Sequence, residues 1–443
     1  MPDLCIAMLS VHTCPLATLG GKETGGMNVY VRDLSRELTR RGHHVDVYTR
    51  SQDPQISRIS YGLDSDTRVF HLPAGPEQPY AKNLVYDHLP EFVDGVLAQT
   101  EAEGIQYDVL HSHYWLSGVV ARELRRHWGV PIVHMFHTLG EMKNAVAQRP
   151  EDREAARRIG VEAEIVRFAD ALVAATPVEE EQLVELYGAD SACIHIIPPG
   201  VDTEIFHPIP AAHAKEHIGL CTDCCVILFV GRIEPLKGVD NLLRAIALVV
   251  EERPDLREGL VVPIVGGDLD RICEDDEMMR LQELREGLGI GDVVTFMGAK
   301  DQDTLQYYYA AAEMVVMPSD YESFGMVALE AMACGTPVIA SDVGGLAFLV
   351  RHERTGYRVP ARDPGALASR IMQLLTDEGL RRRIGQRAAC WAESYAWPRV
   401  ADRIETLYED LRRVPRSSSL RDGAMIPCVC DGWDRFVLSG LPY

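Results

Sequence analysis

Short apolar runs alternate with amphipathic segments along the first half of the chain. The amphipathic segments carry apolar residues three or four positions apart, most clearly Met27, Val31, Leu34 and Leu38, with Gly42 as the terminator. Continuous apolar runs between helices are typical of strands buried on both faces of a parallel sheet. The predicted strands are LCIAMLSV, HVDVYT, RVFHL, DVLHSHY, PIVHMFH, DALVAAT and CIHIIPPG. This order predicts a doubly wound α/β domain.

The alternation restarts in the second half, after the proline-rich segment PPGVDTEIFHPIP, which has no period and predicts a linker. The predicted strands there are CCVILFVG, LVVPIVGG, VVTFMG, MVVMPS and PVIAS. A chain of 443 residues is too long for one core, so we predict two doubly wound α/β domains facing a cleft, with a hinge at the linker. The predicted limits are 1–205 and 206–395 for the domains, 396–413 for a helix returning to the first domain, and 414–443 for an irregular tail.

Two carboxylates flank a Phe-Gly turn in the segment SDYESFGMVALE, between the strand MVVMP and a helix that Gly335 ends. If the chain is helical from Ser323, Glu322 and Glu330 lie about 12 Å apart along the axis on adjacent faces. A glycosidase pair must lie roughly 5 to 9.5 Å apart around one bond, so this pair does not suit glycoside hydrolysis. We predict that the two carboxylates accept hydrogen bonds from hydroxyls, one on a hexose and one on a ribose.

Two cations follow the apolar strand at the start of the second domain, in the loop VGRIEPLKG. Ligands of open α/β sheets collect at the carboxyl ends of strands, which is where Arg232 and Lys237 fall. A guanidinium and an ammonium together suit a diphosphate that gains negative charge as its bond to a sugar breaks. The second domain is therefore predicted to bind a nucleotide sugar.

The cationic loop, followed by PSDYESFGMVALEAMACGTPVIASDVGG, resembles the donor site of the family-four retaining glycosyltransferases, from about Leu4 to about Leu411. The resemblance implies the GT-B fold, two Rossmann-like domains across a cleft, with a UDP-sugar as co-substrate. It implies Arg232 and Lys237 on the diphosphate, Glu322 on the transferred sugar and Glu330 on the ribose. The backbone amides implied to face the sugar and phosphate, at a helix N-terminus, are those of Phe324, Gly325 and Met326.

A glycine turn follows the first strand and opens a helix in the segment GGKETGGMNVYV. Gly25 and Gly26 would let backbone N–H groups approach a ligand at the positive end of that helix. The spacing matches neither a Walker loop nor the dinucleotide fingerprint, so dinucleotide binding is a minor alternative. A tight strand-to-helix turn is the structural alternative. We include Gly26 in the donor site.

The N-terminal half resembles the branch of this family that transfers N-acetylglucosamine to inositol phosphate, with sucrose-phosphate synthases as near relatives. The matching segments are HTCPL, GGMNVYV, HSHYW, FHTLGEMKN and EAARRI. The resemblance implies an acceptor pocket in which the last four residues bind a phosphate: His12, Asn28, Lys82, Tyr114, Thr138 and Arg158. Because HTLG also resembles the sucrose-phosphate synthase pattern, both inositol phosphate and fructose 6-phosphate stay open as acceptors.

His137 ends the strand PIVHMFH, and by the same resemblance it lies beside the reacting sugar. In a retaining transfer the donor's own phosphate can take the acceptor proton, and His137 would orient the sugar or stabilise the cationic transition state. The predicted catalytic set is His137 with Arg232, Lys237 and Glu322. His111, His113 and His134 are expected to be buried histidines that backbone carbonyls satisfy. A nucleotide-sugar sensor without turnover, the alternative from another class, would not need His137.

Charge and composition exclude several partners. The net charge of −22 argues against nucleic acid and against anionic membrane surfaces. No apolar run approaches the roughly 18 residues that span a bilayer, and the first strand lacks the basic flank of a signal peptide. We therefore expect a cytoplasmic enzyme, and the sequence leaves a homodimer open.

A metal is not required for this chemistry, so we expect neither an essential Mg²⁺ nor another cofactor. DxD pairs occur at Asp64 with Asp66, at Asp268 with Asp270 and at Asp301 with Asp303. None of these pairs is predicted to lie beside the cationic loop. With 66 acidic residues in the chain, pairs of this spacing are expected by chance. A thiolate zinc site would have to combine Cys221 and Cys224 with Cys428 and Cys430, and reduced thiols are the expectation instead.

Overall fold

A computed structural model describes residues 3–17, 25–61, 67–147, 149–269 and 275–413. Its first sheet has eight strands in the order β3-β4-β2-β1-β5-β6-β7-β8. All neighbours are parallel except β3 and β4, which are antiparallel. The strands are β1 (Cys5–Leu9), β2 (His44–Arg50), β3 (Ile59–Ser60), β4 (Arg68–Leu72), β5 (Val109–His113), β6 (Ile132–Met135), β7 (Ala171–Ala174) and β8 (Ile194–Ile196).

Helices connect these strands and cover both faces of the sheet. The predicted apolar stripe of the first helix is buried at Val31, Leu34 and Leu38, and the helix ends where Gly42 takes a φ of 96°. Left-handed glycines end two further helices in the same way, Gly104 and Gly129. The helices are α1 (Gly26–Arg40), α2 (Lys82–Val85), α3 (Leu89–Glu103), α4 (Tyr114–Trp128), α5 (Gly140–Val146), α6 (Ala156–Phe168) and α7 (Pro177–Tyr187).

The second sheet has six strands, all parallel, in the order β11-β10-β9-β12-β13-β14. They are β9 (Cys225–Val230), β10 (Leu260–Val265), β11 (Val294–Gly298), β12 (Met314–Met317), β13 (Val338–Ser341) and β14 (Gly356–Val359). The accompanying helices are α8 (Ala211–His217), α9 (Val239–Glu252), α10 (Asp276–Gly287), α11 (Gln302–Ala311), α12 (Met326–Ala333), α13 (Gly344–Leu349), α14 (Pro364–Thr376) and α15 (Glu378–Ala392). Both sheets thus have the doubly wound arrangement that the alternation predicts.

The last described helix, α16 (Trp397–Arg413), returns to the first sheet. Ala396, the residue before this helix, forms a backbone bridge with Val201 of the segment between the sheets. On α16, Glu405 accepts hydrogen bonds from Arg41 at 2.9 Å and pairs with His43 at 2.9 Å. The chain therefore crosses between the sheets twice, and the predicted domain limits stay predictions.

One local prediction is wrong. The helix after the Phe-Gly turn begins at Met326 and not at Ser323, because Gly325 takes a left-handed φ of 105°. Glu322 therefore belongs to the turn, and the 12 Å helical separation from Glu330 does not apply.

Candidate active site

A cleft of about 570 Å³ lies between the carboxyl ends of the two sheets, where ligands of such sheets bind. Loops after β1, β5, β6 and β7 line it from one side, and loops after β9 and β12 from the other. Every predicted site residue lines this cleft except Glu330, which lines an adjoining cavity. Gly26, Arg232 and Met326 belong to both spaces. The structure thus brings the predicted donor and acceptor residues to one place.

The two predicted diphosphate cations carry carboxylate partners. Lys237 donates to Glu322, so two residues predicted to bind the donor also bind each other. Arg232 donates to Glu234 at 2.7 Å, and both side chains are more than one-third exposed. These carboxylates keep the two cations in the cleft. A bound diphosphate would therefore either replace the carboxylates or share the cations with them.

Two helix N-termini converge beside these cations. Helix α1 starts at Gly26 and helix α12 at Met326. A Cβ added to Gly26 would lie 3.2 Å from Cγ of Met326, so the two helices approach closely. The first N–H groups of a helix have no intrahelical acceptor and carry partial positive charge. The arrangement suits an anionic group between the domains.

Glu330 is 5% exposed and accepts a hydrogen bond from the Tyr309 hydroxyl at 2.7 Å. Burial raises the pKa of Glu330 to about 7, although the Tyr309 hydrogen bond opposes the shift. The sequence did not predict a role for Tyr309, which comes from α11 and lines the same cavity. A poorly solvated carboxylate in a cavity suits the acceptance of ribose hydroxyls.

Three of the predicted acceptor residues, Tyr114, Thr138 and Arg158, form one hydrogen-bonded cluster. Arg158 is 1% exposed and donates to the Tyr114 hydroxyl at 3.0 Å and to the Thr138 carbonyl and hydroxyl at 2.7 and 3.0 Å. Its Nε donates to Glu162 at 2.6 Å. Buried guanidinium groups require such partners, because an unpaired charge in the interior is costly.

A carboxylate that the sequence analysis missed lies at the centre of this cluster. Oε1 of Glu154 is 2.9 Å from Arg158, 2.5 Å from Lys143 and 3.7 Å from Lys82. Burial opposes ionisation, but the three cations outweigh it and lower the pKa of Glu154 to about 2. The signal was available, since Lys143 lies in FHTLGEMKN and Glu154 begins EAARRI. Three cations around one carboxylate leave excess positive charge for an anionic ligand.

Asn28 and His12 contribute in different ways. The Asn28 amide accepts from the Gly25 N–H at 2.9 Å and donates to Thr13 and Cys14 at 2.6 and 2.7 Å. It therefore braces the glycine turn. The His12 ring lies 4.3 Å from the Tyr114 ring, and burial, with nearby cations, lowers the pKa of His12 to about 3. His12 is neutral at physiological pH.

Two of the cleft residues have left-handed backbone conformations. Tyr114 has a φ of 71° and directly follows the last residue of β5. His137 has a φ of 62° and lies two residues after the end of β6. Non-glycine residues in this region cost energy and cluster at functional sites. Burial also lowers the pKa of His137 to about 3, so its imidazole is neutral.

The buried histidines are partnered by side chains, so the expectation of backbone carbonyls is wrong. His111 Nδ1 pairs with the Tyr408 hydroxyl at 2.6 Å, and His134 Nδ1 with the Ser112 hydroxyl at 2.8 Å. These hydroxyls come from elements packed beside the histidines, Ser112 from β5 and Tyr408 from α16.

His113 connects this group to His137. Its Nε2 lies 2.8 Å from the Met8 sulfur, and its Nδ1 lies 3.0 Å from Nε2 of His137. A thioether only accepts hydrogen bonds, so the proton of neutral His113 belongs on Nε2. His137 Nε2–H then donates to His113, which leaves Nδ1 of His137 as the acceptor.

The metal hypotheses find no support among the described residues. Asp301 caps α11, accepting from the Thr304 N–H at 2.7 Å. No group of three or more His, Cys, Asp or Glu in the described part of the chain could hold a metal ion. In the described ranges there is also no helix long and apolar enough to cross a membrane. Five members of the DxD pairs and of the thiolate zinc site lie outside the described residues: Asp64, Asp66, Asp270, Cys428 and Cys430.

Comparison with known proteins gives matches in both halves. Residues 24–205 match the description Glycosyltransferase Family 4, and residues 215–391 match Glycosyl transferases group 1. The chain is 42% identical to a D-inositol 3-phosphate glycosyltransferase of Acidothermus cellulolyticus over 409 residues, 91% of this chain and 90% of the relative. It is also 42% identical to D-inositol 3-phosphate glycosyltransferase 2 of Catenulispora acidiphila, over 92% of this chain and 96% of that relative.

Among solved structures, sucrose-phosphate synthase from Thermosynechococcus elongatus matches with a TM-score of 0.84 and 35% identity. The match covers 92% of this chain and 99% of that one. Each of these matches covers more than nine-tenths of this chain. The chain therefore belongs to glycosyltransferase family 4 and has the GT-B fold.

Proposed function

We propose that this enzyme transfers a hexose, N-acetylglucosamine or glucose, from a UDP-sugar to a small phosphorylated acceptor such as inositol phosphate, with retention at the anomeric carbon. The observation that carries the proposal is a pair of cationic centres in one cleft, one from each sheet. Arg232 and Lys237 suit the donor diphosphate. Lys82, Lys143 and Arg158 suit the acceptor phosphate. The names of the 42% identical relatives support the acceptor class.

The cleft supplies each part of a retaining transfer. Cleavage of the bond between the anomeric carbon and the diphosphate oxygen leaves negative charge, which Arg232, Lys237 and the N-terminus of α12 would stabilise. The acceptor hydroxyl bonds to the same carbon on the same face and gives its proton to the departing phosphate oxygen. His137, neutral and held by His113, would accept a hydrogen bond from the hexose through Nδ1 and orient it.

Transfer of glucose to fructose 6-phosphate is a second candidate. It is favoured by the HTLG segment at residues 137–140 and by the likeness to sucrose-phosphate synthase. The same cation cluster would bind the phosphate of that acceptor. The two candidates differ in the ring that enters the cleft, so substrate tests separate them.

The experiment is a matrix of donors and acceptors. UDP-N-acetylglucosamine, UDP-glucose and ADP-glucose are each combined with inositol phosphate, inositol, fructose 6-phosphate and fructose, and nucleoside diphosphate release is measured. We expect turnover with a UDP-sugar and a phosphorylated acceptor, at least 10-fold above the unphosphorylated analogue, because a charged hydrogen bond is worth about 1.5–3 kcal/mol. The proton spectrum of the product should show the donor's anomeric configuration. Equal rates with phosphorylated and free acceptors would contradict the acceptor class.

The same matrix, run with EDTA, tests the expectation that no metal is essential. Turnover should continue, because side chains and helix N-termini would stabilise the leaving diphosphate. Loss of turnover that Mg²⁺ alone restores would instead require a metal on the diphosphate.

A further inference from the structure

Glu179 lines the cleft and carries a buried carboxylate that the proposed reaction does not use. It lies in the first turn of α7, where its own N–H donates to the Thr176 hydroxyl at 3.1 Å. Its Oε2 accepts a hydrogen bond from the Ala175 N–H at 2.7 Å. The other oxygen, Oε1, is buried and has no hydrogen-bond partner among the described residues. The residue is 4% exposed and lines the large cleft.

A helix cap alone does not account for this arrangement. Thr176 at the N-cap and Glu179 three residues later resemble a capping box, and that role uses only Oε2 of Glu179. A buried carboxylate oxygen without a donor destabilises the fold unless a ligand supplies the donor. Burial raises the pKa of Glu179 to about 7, and only the Ala175 hydrogen bond opposes the shift. No cation contributes to that balance, unlike the balance at Glu154.

The position of Glu179 lies where the two domains meet. Helix α7 packs against α13 of the second domain. Tyr321, next to Glu322, is close enough to Glu179 that the carboxylate adds to burial in raising the pKa of the phenol. Arg158 acts on the same phenol in the opposite direction. Glu179 thus lines the same cleft as Arg158 and Glu322, on a helix that contacts the second domain.

We propose that Oε1 of Glu179 accepts a hydrogen bond from a substrate hydroxyl and is a specificity-determining group of this enzyme. The inference rests on the proposed function and adds a residue to it. The ligand class is a ring hydroxyl, on the donor hexose or on the acceptor polyol. An ammonium group is disfavoured, because Lys82, Lys143 and Arg158 already make this side of the cleft positive. A site built to bind a hydroxyl rejects an analogue that lacks it.

The test uses Glu179→Gln, with Glu181→Gln on an exposed position of the same helix as the matched control. Glutamine keeps the length and can keep the bond to Ala175 through its carbonyl, but it turns the free oxygen into an N–H donor. The melting temperature, the donor KM for hydrolysis without acceptor, and the acceptor KM are measured. We expect Glu179→Gln to raise one of the two KM values about 10-fold or more, with the melting temperature nearly unchanged. Glu181→Gln should change none of them.

Deoxy analogues then identify the hydroxyl and separate a binding role from a structural one. The substrate whose KM rises is tested as a series in which one hydroxyl at a time is missing. One analogue should bind the natural protein and Glu179→Gln equally, since its partner hydroxyl is gone. A rise in donor KM assigns the hexose, and a rise in acceptor KM assigns the polyol.

Two results would overturn the inference. Unchanged KM values for both substrates would leave the helix cap as the only role of Glu179. A lower melting temperature together with undiminished discrimination against every deoxy analogue would make the residue structural. Failure of the proposed function is a separate result, because the unaltered protein would then turn over no donor and acceptor pair in the matrix.

Discussion

At the scale of single residues, Tyr309 donates a hydrogen bond to Glu330, the carboxylate that we propose binds the donor ribose. We predict that Tyr309→Phe raises the donor KM about 10-fold, because it removes the 2.7 Å hydrogen bond to the ionised carboxylate. The pKa of Glu330 is about 7, so donor KM should fall as pH rises through 7 and the carboxylate ionises. The measurement is donor KM between pH 6 and pH 8 in both proteins.

The position of that inflection provides the control. The hydrogen bond from Tyr309 opposes the raised pKa of Glu330, so its removal should move the inflection to higher pH. Glu330→Gln should remove the inflection and keep a high donor KM throughout. An inflection that survives in Glu330→Gln would assign the titration to a different group.

We propose that Glu154 competes with the acceptor phosphate for the cations that it now binds. We predict that Glu154→Gln lowers the KM for a phosphorylated acceptor about 5- to 10-fold, because Arg158, Lys143 and Lys82 lose the carboxylate that now binds them. The melting temperature should fall, since a buried guanidinium loses a charged partner. Both quantities are measured against Asp152→Asn, whose carboxylate binds Arg149 instead.

The opposite change would also be informative. A higher acceptor KM in Glu154→Gln would mean that the carboxylate holds the cations in the geometry that binds phosphate, and competition would not be its main effect. Inorganic phosphate as an inhibitor distinguishes the two, because its affinity depends on charge and little on ring placement.

The sequence identified residues that belong to recognisable motifs. It missed residues whose role depends on contacts made in the folded protein. Arg158, Thr138 and Tyr114 were predicted together through motif resemblance, and the structure brings them within hydrogen-bonding distance. Tyr309 and Glu179 were not predicted. Each reads as an ordinary helical residue, and its significance comes from a cavity that chain folding creates.

At the scale of elements, the N-termini of α1 and α12 approach each other at Gly26, where we propose that the donor binds. We predict that Gly26→Ala raises the donor KM about 10-fold with little change in melting temperature. The new Cβ would lie 3.2 Å from Cγ of Met326 and fill space between the helices. Alanine is otherwise acceptable at a helix start.

Gly160→Ala is the matched control for this element, because a Cβ there would meet nothing within 4 Å. It should leave donor and acceptor KM unchanged. Similar KM changes in both variants would show that helix stiffness matters and the gap between α1 and α12 does not.

Strands and helices were predicted well where the chain has a regular apolar pattern. They were predicted poorly where tertiary contacts or the conformation of a glycine determine the limits of the element. Every strand predicted from an apolar run is present. The two-residue β3 was not predicted because it is too short to show a pattern. The four-residue β14 was not predicted because Arg358 interrupts its apolar run. The start of α12 was misplaced, because a glycine at φ 105° is not distinguishable in sequence from one inside a helix.

At the scale of the whole molecule, buried titratable groups make the stability of the fold depend on pH. Burial lowers the pKa of His12, His111 and His137 to about 3. Burial also lowers the pKa of His113 and His134 well below the usual value. Between pH 3 and pH 6.5 the unfolded chain binds protons at these positions that the folded protein does not. Their contribution to stability is therefore present above pH 6.5 and is lost as pH falls.

Two glutamates act in the opposite direction. Glu179 and Glu330 have pKa values of about 7 when folded, raised from 4.5, so between pH 4.5 and pH 7 the folded protein holds protons that the unfolded chain releases. Their contribution is present at low pH and is lost as pH rises through 7. His71 and His195 also have pKa values lowered by burial, so the histidines outnumber the two glutamates and acidification should destabilise the protein between pH 7 and pH 5.

We therefore predict that the melting temperature falls steadily from pH 7 to pH 5. His134→Asn should reduce the slope, because it removes one buried group that must bind a proton on unfolding. Ser112→Ala is the control, since it removes the 2.8 Å partner of His134 and lowers stability without removing a titratable group. It should shift the curve downward and keep most of the slope. A melting temperature that rises on acidification would mean that the glutamates outweigh the histidines, and that the histidines around His137 take up protons within the folded protein.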